Sequence, residues 1–527
     1  MGIGKILKNN GIRVVEAKRF GTPGIYERFD GISRNGEREQ FTATIDGSEI
    51  AFHPKGETTP PDFRFTPYDR LHPETAQPLH DDALLSELAA RMADAPARWG
   101  KYRFDAMGIP AAYTYLGQLI AHDLTWDKAH ANGCPSRFRP ATLDFGSVSH
   151  GNGPAPQTTS GCPGEFTLGR TNAGRPDDLP RGADGDPRLA DTRNDQNLTL
   201  SQLVVLVTKF YQVCAAQSTG QPDAALTARR HLQWIVLHDY LPRVIDPVVY
   251  RDVMASGEWP LLGEGAGLVP IEFAAASFRL GHAMVRYRYP HWRQGGSGAS
   301  LRDLLRFTHH SASSRLVETG DGKRLPDDWT VDWALLLPGD HAPGLSASID
   351  ENLAHTLFAL PDTIGDCLAS APPPQGTGTG TINLAEHTLL RGNHLHLPSG
   401  QSLSAFAHAR LRTAGAAPLP RRLPTPRLAQ TRSPELAAFL ASESAAALRS
   451  DTPLWFYFLR EADIHASGQH FGPLASRITM ETIYRAIWND PEGILRRDFK
   501  PDIASLHGRF DLKALHDHVR THWKPVT

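Results

Sequence analysis

A mainly α fold with long loops and little β-structure is what this sequence predicts, on three observations. Apolar residues recur at helical spacing in several separate runs: Leu84, Leu85, Leu88, Ala89 and Met92 in one, and later the stretches Leu203–Ala216 and Ala224–Leu241. Strand-like patterning is confined to one short stretch before residue 55. The 41 prolines and 46 glycines among 527 residues supply long connections, while 40% hydrophobic residues leave material for a sizeable core.

Taken in order, residues 1–75 read as an N-terminal extension and 76–527 as the main body. In the extension, Gln40–Ile45 and Glu49–Phe52 flank the turn Asp46-Gly47-Ser48, which predicts a small hairpin. Pro60, Pro61 and Pro67 break the chain after it. A helix is expected over Asp81–Ala95, and another where Tyr115–Thr125 places Gln118 and His122 at i and i+4 on one face. Residues 129–189 are rich in Gly, Pro, Asp and Arg and read as a long loop. The polar cluster Ala190–Asn197 reads in isolation as a cap for the apolar helix that follows. The helix Ala224–Leu241 is expected to stop at Pro242.

Residues 270–287 read as one helix with Arg279 and His282 at i and i+3, and with Gly281 removing bulk beside the histidine. Ala347–Ser370, interrupted at Pro361, and Thr381–Arg391 read as helical on either side of the linker 371–380. Thr413–Glu435 reads as a Pro- and Arg-rich surface loop, and Thr452–Asp463 and Ser476–Asp490 as closing helices.

A formal net charge of −2 gives no reason to expect a nucleic acid partner. The four cysteines show no zinc spacing; they read as free thiols, with Cys134 and Cys162 the one pair placed to bridge a loop. The N-terminus is too short and polar for a signal peptide, and no run of 18 apolar residues follows. The default compartment is therefore the cytoplasm, with non-classical secretion left open.

A buried amide and imidazole on one helix face want a partner. Gln118 and His122 are consistent with a cofactor pocket and equally with a core histidine satisfied by a carbonyl. Three separated segments then resemble one family, the animal-type haem peroxidases. Gly117, Gln118, His122 and Asp123 resemble the distal helix; Asp191, Thr192 and Arg193 the distal arginine segment; Phe278, Arg279, Gly281 and His282 the proximal helix. Asp239–Arg243, Leu389–Arg391 and Leu397–Pro398 agree in order, so the resemblance runs from about residue 80 to about 490.

The resemblance implies a haem held between a distal and a proximal helix, and a peroxidase that reduces hydrogen peroxide through a ferryl intermediate while oxidising a halide, thiocyanate or organic donor. His122 would be the acid–base catalyst, Arg193 the cation for the leaving oxygen and Gln118 the seat of a water or halide. His282 would be the axial iron ligand, with Arg279 and Arg391 on the propionates. The mammalian enzymes tether haem covalently where this chain has Ala121, Gln196 and Asn197, so haem b should be non-covalent. The family's calcium site maps to Asp123 and Asp144, with fewer oxygen ligands than calcium prefers. The hydrogen-bond partner of the proximal histidine maps to Thr388 in place of Asn. Cyclooxygenases and fatty-acid α-dioxygenases share the fold; the cyclooxygenases carry a tyrosine three residues before the proximal histidine, where this chain has Arg279. A metal-dependent phosphohydrolase built on His122 and Asp123 and a non-catalytic haem binder are the remaining alternatives.

Overall fold

In the computed structural model the described residues are 69–72, 79–93, 108–125, 141–148, 166–218, 221–263, 269–293, 298–309, 314–338, 344–361, 381–420, 422–503 and 509–525, together with the backbone of strands before residue 66. Those strands, Arg13–Thr22 (β1), Ile25–Ile32 (β2), Arg38–Asp46 (β3), Glu49–Pro54 (β4) and Arg64–Phe65 (β5), form one antiparallel sheet in sequence order. β3 and β4 pair across the expected turn, with Ile45 opposite Ile50 and Asp46 opposite Glu49. The expected hairpin is thus one part of a five-stranded meander.

The rest is mainly helical. Eight helices position the site: α1 (Asp82–Arg91), α2 (Ala112–Thr125), α3 (Leu198–Gln217), α4 (Gln221–Ile235), α5 (Leu384–His394), α6 (Gly400–Ala414), α7 (Leu454–Ala466) and α8 (Pro473–Trp488). In α2, residues on every side are buried, Tyr113, Leu116, Leu119, Ile120 and Leu124 among them, so it runs through the core. It packs on α3 and on the segment that carries His282. α3 is long and apolar enough to cross a membrane, but 83% of its apolar window is buried inside the protein, as a core helix requires.

Four expectations change. Residues 270–287 are not one helix: Ile271–Ala275 is α-helical, Ala276 leaves the helical region at φ −138°, and Ser277–Met284 winds as a 3₁₀-helix. With three residues per turn, Arg279 and His282 now stand one full turn apart on the same line. The helix expected to stop at Pro242 instead widens to a π-turn over Val236–Tyr240 and continues through Leu241–Val244. Leu241 N–H reaches back to Val236 O, and the wider turn admits a proline that has no N–H to give.

Of the helix expected over Ala347–Ser370, residues 347–361 are not helical apart from the 3₁₀ turn His355–Phe358, and 362–370 lie outside the described residues. Its backbone amides bond elsewhere: Ala347 to Met284 O (2.9 Å), Ile349 to Gly468 O (2.9 Å) and Leu353 to Met92 O (2.9 Å). Those amides are satisfied by other segments and not by their own i−4 carbonyls. Within Thr413–Glu435, a short helix, Thr425–Ala429, interrupts the expected loop. Cys134, Cys162 and Cys367 lie outside the described residues; Cys214 is a buried free thiol.

The two faces of the site are tied together by a pair of phenols. Tyr115, seven residues before His122, donates to the hydroxyl of Tyr289, seven residues after His282, at 2.8 Å. Both rings are buried.

Candidate functional site

His122 sits on α2 with only 7% of its surface exposed. Its Nδ1 lies 3.0 Å from Asn194 Oδ1. The orientation of that amide is set on its other side, where Asn194 Nδ2 donates to Ser147 O at 3.0 Å. A carbonyl oxygen only accepts, so Nδ1 carries the ring proton and Nε2 keeps its lone pair. Burial, and next the charge of Arg193, push the His122 pKa down to about 4. The imidazole is therefore a neutral base at ordinary pH.

Arg193 lies beside this ring with its guanidinium engaged. It makes a two-pronged pair with Asp191, Nε at 3.0 Å from Oδ1 and Nη2 at 2.7 Å from Oδ2. It also donates to His122 O (2.9 Å) and Thr125 Oγ1 (3.2 Å), which satisfies carbonyl and hydroxyl groups at the end of α2. Gln118 is committed too: Nε2 donates to Gln196 Oε1 (3.1 Å), and Oε1 accepts from Asn197 Nδ2 (2.9 Å). The two amides at positions that tether haem in the mammalian enzymes thus hold Gln118 instead.

The segment 191–197 does the work of a cap as well. Asp191 accepts from Arg193 N (3.0 Å) and Asn197 from Leu200 N (2.9 Å). Between them, Asp195 is fully buried and takes both Nη groups of Arg181, at 2.8 and 3.1 Å, with Ser201 Oγ and His309 N also donating. Arg181 pairs in turn with buried Asp178. This anchor fixes the 3₁₀ turn Thr192–Asp195 that presents Arg193 and Asn194. Asp239, in the π-turn, accepts from Tyr113 Oη (2.6 Å) and Arg243 Nε (2.9 Å) and so fixes the start of α2.

In the 3₁₀ segment Ser277–Met284, His282 is packed against the indole of Trp455 on α7, edge to face at 6.4 Å. Its Nδ1 is buried and has no hydrogen-bond partner among the described residues. Burial, then Arg279 and His387, push its pKa down to about 3, so it too is neutral. Thr388 does not answer it: its hydroxyl, held back on its own helix, donates to Leu384 O within α5 at 2.8 Å and makes no bond to His282.

The neighbour that sequence reasoning missed is His387, 95% buried, whose Nδ1 also has no partner among the described residues. Burial, then Arg279 and Arg391, push it down to about 4. Its signal was legible as spacing, since His387 and Arg391 stand at i and i+4. Asn194 was missed for a different reason: nothing local marks which member of a polar cluster reaches a histidine 72 residues away.

The residues fit a haem. His282 is a neutral imidazole. A Cβ built on Gly281 would meet nothing within 4 Å among the described residues, which leaves room for a flat group beside the histidine. Arg279 acts on both His282 and His387 and Arg391 on His387, so both guanidinium groups bring positive charge that would suit propionates. The calcium reading fares otherwise. Asp123 and Asp144 do come together, but backbone N–H groups fill the carboxylate of Asp123. Among the described residues there is no group of three or more His, Cys, Asp or Glu placed to hold a metal ion.

No family model and no curated protein matches the sequence. Solved structures do. Peroxidase A from Dictyostelium discoideum superposes with TM-score 0.51 at 15% identity, covering 87% of this chain and 93% of that one. The fatty acid alpha-dioxygenase of Oryza sativa superposes with TM-score 0.51 at 13% identity, covering 85% and 78%, and a variant of it solved with palmitic acid gives 0.50 at 14%. At such identities the likeness concerns architecture. What this chain shares with them is the mainly α fold, the one expected from the family that its three separated motifs resemble.

Proposed function

We propose that this chain is a haem-dependent peroxidase that reduces hydrogen peroxide and oxidises a small donor, whether halide, thiocyanate or organic. The observation that carries this reading is His122: a neutral, buried imidazole whose Nδ1 proton is committed to Asn194 and whose Nε2 is left basic. A base so held takes a proton from one peroxide oxygen and returns it to the other, which leaves as water. Haem b, when bound, would supply the electrons for breaking the O–O bond. His282 would hold its iron, and Arg279 and Arg391 its propionates; with Ala121, Gln196 and Asn197 at the tethering positions, the attachment is non-covalent.

Arg193 serves by its charge. It disfavours imidazolium at His122, and its pairing with Asp191 and His122 O holds the catalytic residue on a rigid helix end. The oxygenase reading is supported by the rice structures, yet the position of the cyclooxygenase tyrosine holds Arg279, and the aromatic ring packed on His282 is Trp455.

Stopped-flow mixing of the haem-loaded protein with peroxide tests the reading. His122→Ala should react about 10²–10⁴-fold more slowly with its haem spectrum intact. Equal rates in both proteins would sink the proposal, and oxygen uptake on a fatty acid without peroxide turnover would favour the oxygenase. Acidified acetone should extract all of the haem.

A further inference from the structure

Asp123 follows His122 directly and is 1% exposed. A buried carboxylate must be answered by a cation or by hydrogen-bond donors. Here three consecutive-loop amides answer it: Asp144 N (3.1 Å) and Phe145 N (2.9 Å) on Oδ2, and Ser147 N (3.0 Å) on Oδ1. Phe145 takes φ +56°, unusual for a side chain of that bulk, and that turn aims successive N–H groups into one concavity. Asp144 faces its own loop, accepting from Gly146 N (3.0 Å) and Thr142 Oγ1 (3.3 Å).

Calcium needs six to eight oxygens converging on one point. The N–H groups present their positive ends along the directions a cation would occupy. The same loop then reaches the catalytic base. Ser147 O accepts from Asn194 Nδ2 (3.0 Å) and from Asp191 N (3.3 Å), and Asn194 Oδ1 takes the proton of His122 Nδ1. His122 and Asp123 are neighbours in the chain, so the path closes on itself: Asp123, Ser147, Asn194, His122.

We propose that residues 144–147 form a backbone-amide seat for Asp123 that takes the place of a divalent cation and, through Ser147 and Asn194, fixes which nitrogen of His122 is the base. Asn194 is thereby a positioning residue. The inference rests on the reading of His122 as the base, and its tests use no peroxide, so the two fail separately.

The first test is thermal unfolding of the full-length chain with added calcium chloride and with chelator. The midpoints should coincide, and Asp123→Asn should lower the midpoint by an amount calcium does not restore. A midpoint raised by calcium in the wild type and not in Asp123→Asn would overturn the substitution of amides for cation. The second test is ¹⁵N-histidine NMR of the full-length chain before haem loading, with the His122 signals identified by their loss in His122→Gln. The wild type should show the Nδ1–H tautomer alone, Asn194→Ala a mixture, and Asn194→Asp the single tautomer again. The wild-type tautomer persisting in a folded Asn194→Ala would overturn the positioning role, as would a mixture in the folded, near-isosteric Asn194→Asp.

Discussion

The surroundings of His122 and of His282 are built differently. Around His122 most polar side chains answer one another: Asn194 holds His122, Ser147 holds Asn194, Gln196 and Asn197 hold Gln118, and Asp191 holds Arg193, with Gln196 Nε2 and Ser147 Oγ left over among the described residues. On the proximal face, buried His282 Nδ1, His387 Nδ1 and Trp455 Nε1 have no partner among the described residues. A buried unsatisfied polar atom costs about 1–3 kcal/mol, so three in one region form a debt the polypeptide alone does not settle. The contrast separates the tasks. In the proposed reading, the surroundings of His122 are preorganised for proton transfer, and those of His282 would be completed by the haem they receive.

The sharpest way to break this comparison is to remove the proximal ligand. His282→Ala should abolish the haem Soret absorption on reconstitution, while His122→Ala keeps it. An unchanged spectrum in His282→Ala would reverse the assignment of the two faces.

Stability should respond oppositely on the two sides. Asn194→Ala leaves a buried Nδ1–H without its partner and takes one of two donors from the Ser147 carbonyl, and should cost about 1–3 kcal/mol in urea unfolding of the haem-free chain. His387→Leu removes a buried unanswered nitrogen at little change of volume and should be neutral or stabilising in the same measurement. A loss of similar size from both would mean that His387 is structurally satisfied and that the two faces do not differ.

The smallest effect is shared by both sides. His122, His282 and His387 have folded pKa values of about 4, 3 and 4, against 6.5 for an unperturbed histidine. The unfolded chain therefore binds more protons than the folded one below pH 6.5, so this contribution to stability is complete above 6.5 and is lost as pH falls toward 4 and 3. Urea midpoints of the haem-free chain should fall over that window. Replacing His122 or His387 by a non-titrating residue should flatten the fall, and no flattening would show that the rings titrate normally.

Much of this was readable from residues alone, and the physical reason differs from case to case. The distal helix was legible because its signal is local: apolar flanks at helical spacing around Gln118 and His122. The segment 191–197 was legible as a cap, and it is one at both ends; a site there was suggested by resemblance alone. Thr388 was read as the partner of His282 and is not, because a register taken from resemblance cannot see its hydroxyl bonding back to Leu384 O on its own helix. The straight helix assumed for 270–287 failed because Ala276 breaks it, and the stretch after Ala347 failed because its amides bond to distant segments. Those bonds join residues up to 261 positions apart and leave no periodic trace.

The Tyr115–Tyr289 hydrogen bond has a mechanical consequence. It joins points seven residues from each histidine on opposite faces, between rings that are themselves packed in the core. The faces cannot part like jaws without breaking that link and exposing both phenols. Tyr289→Phe, which keeps the ring and cuts the link, leaves only packing to hold these two points together.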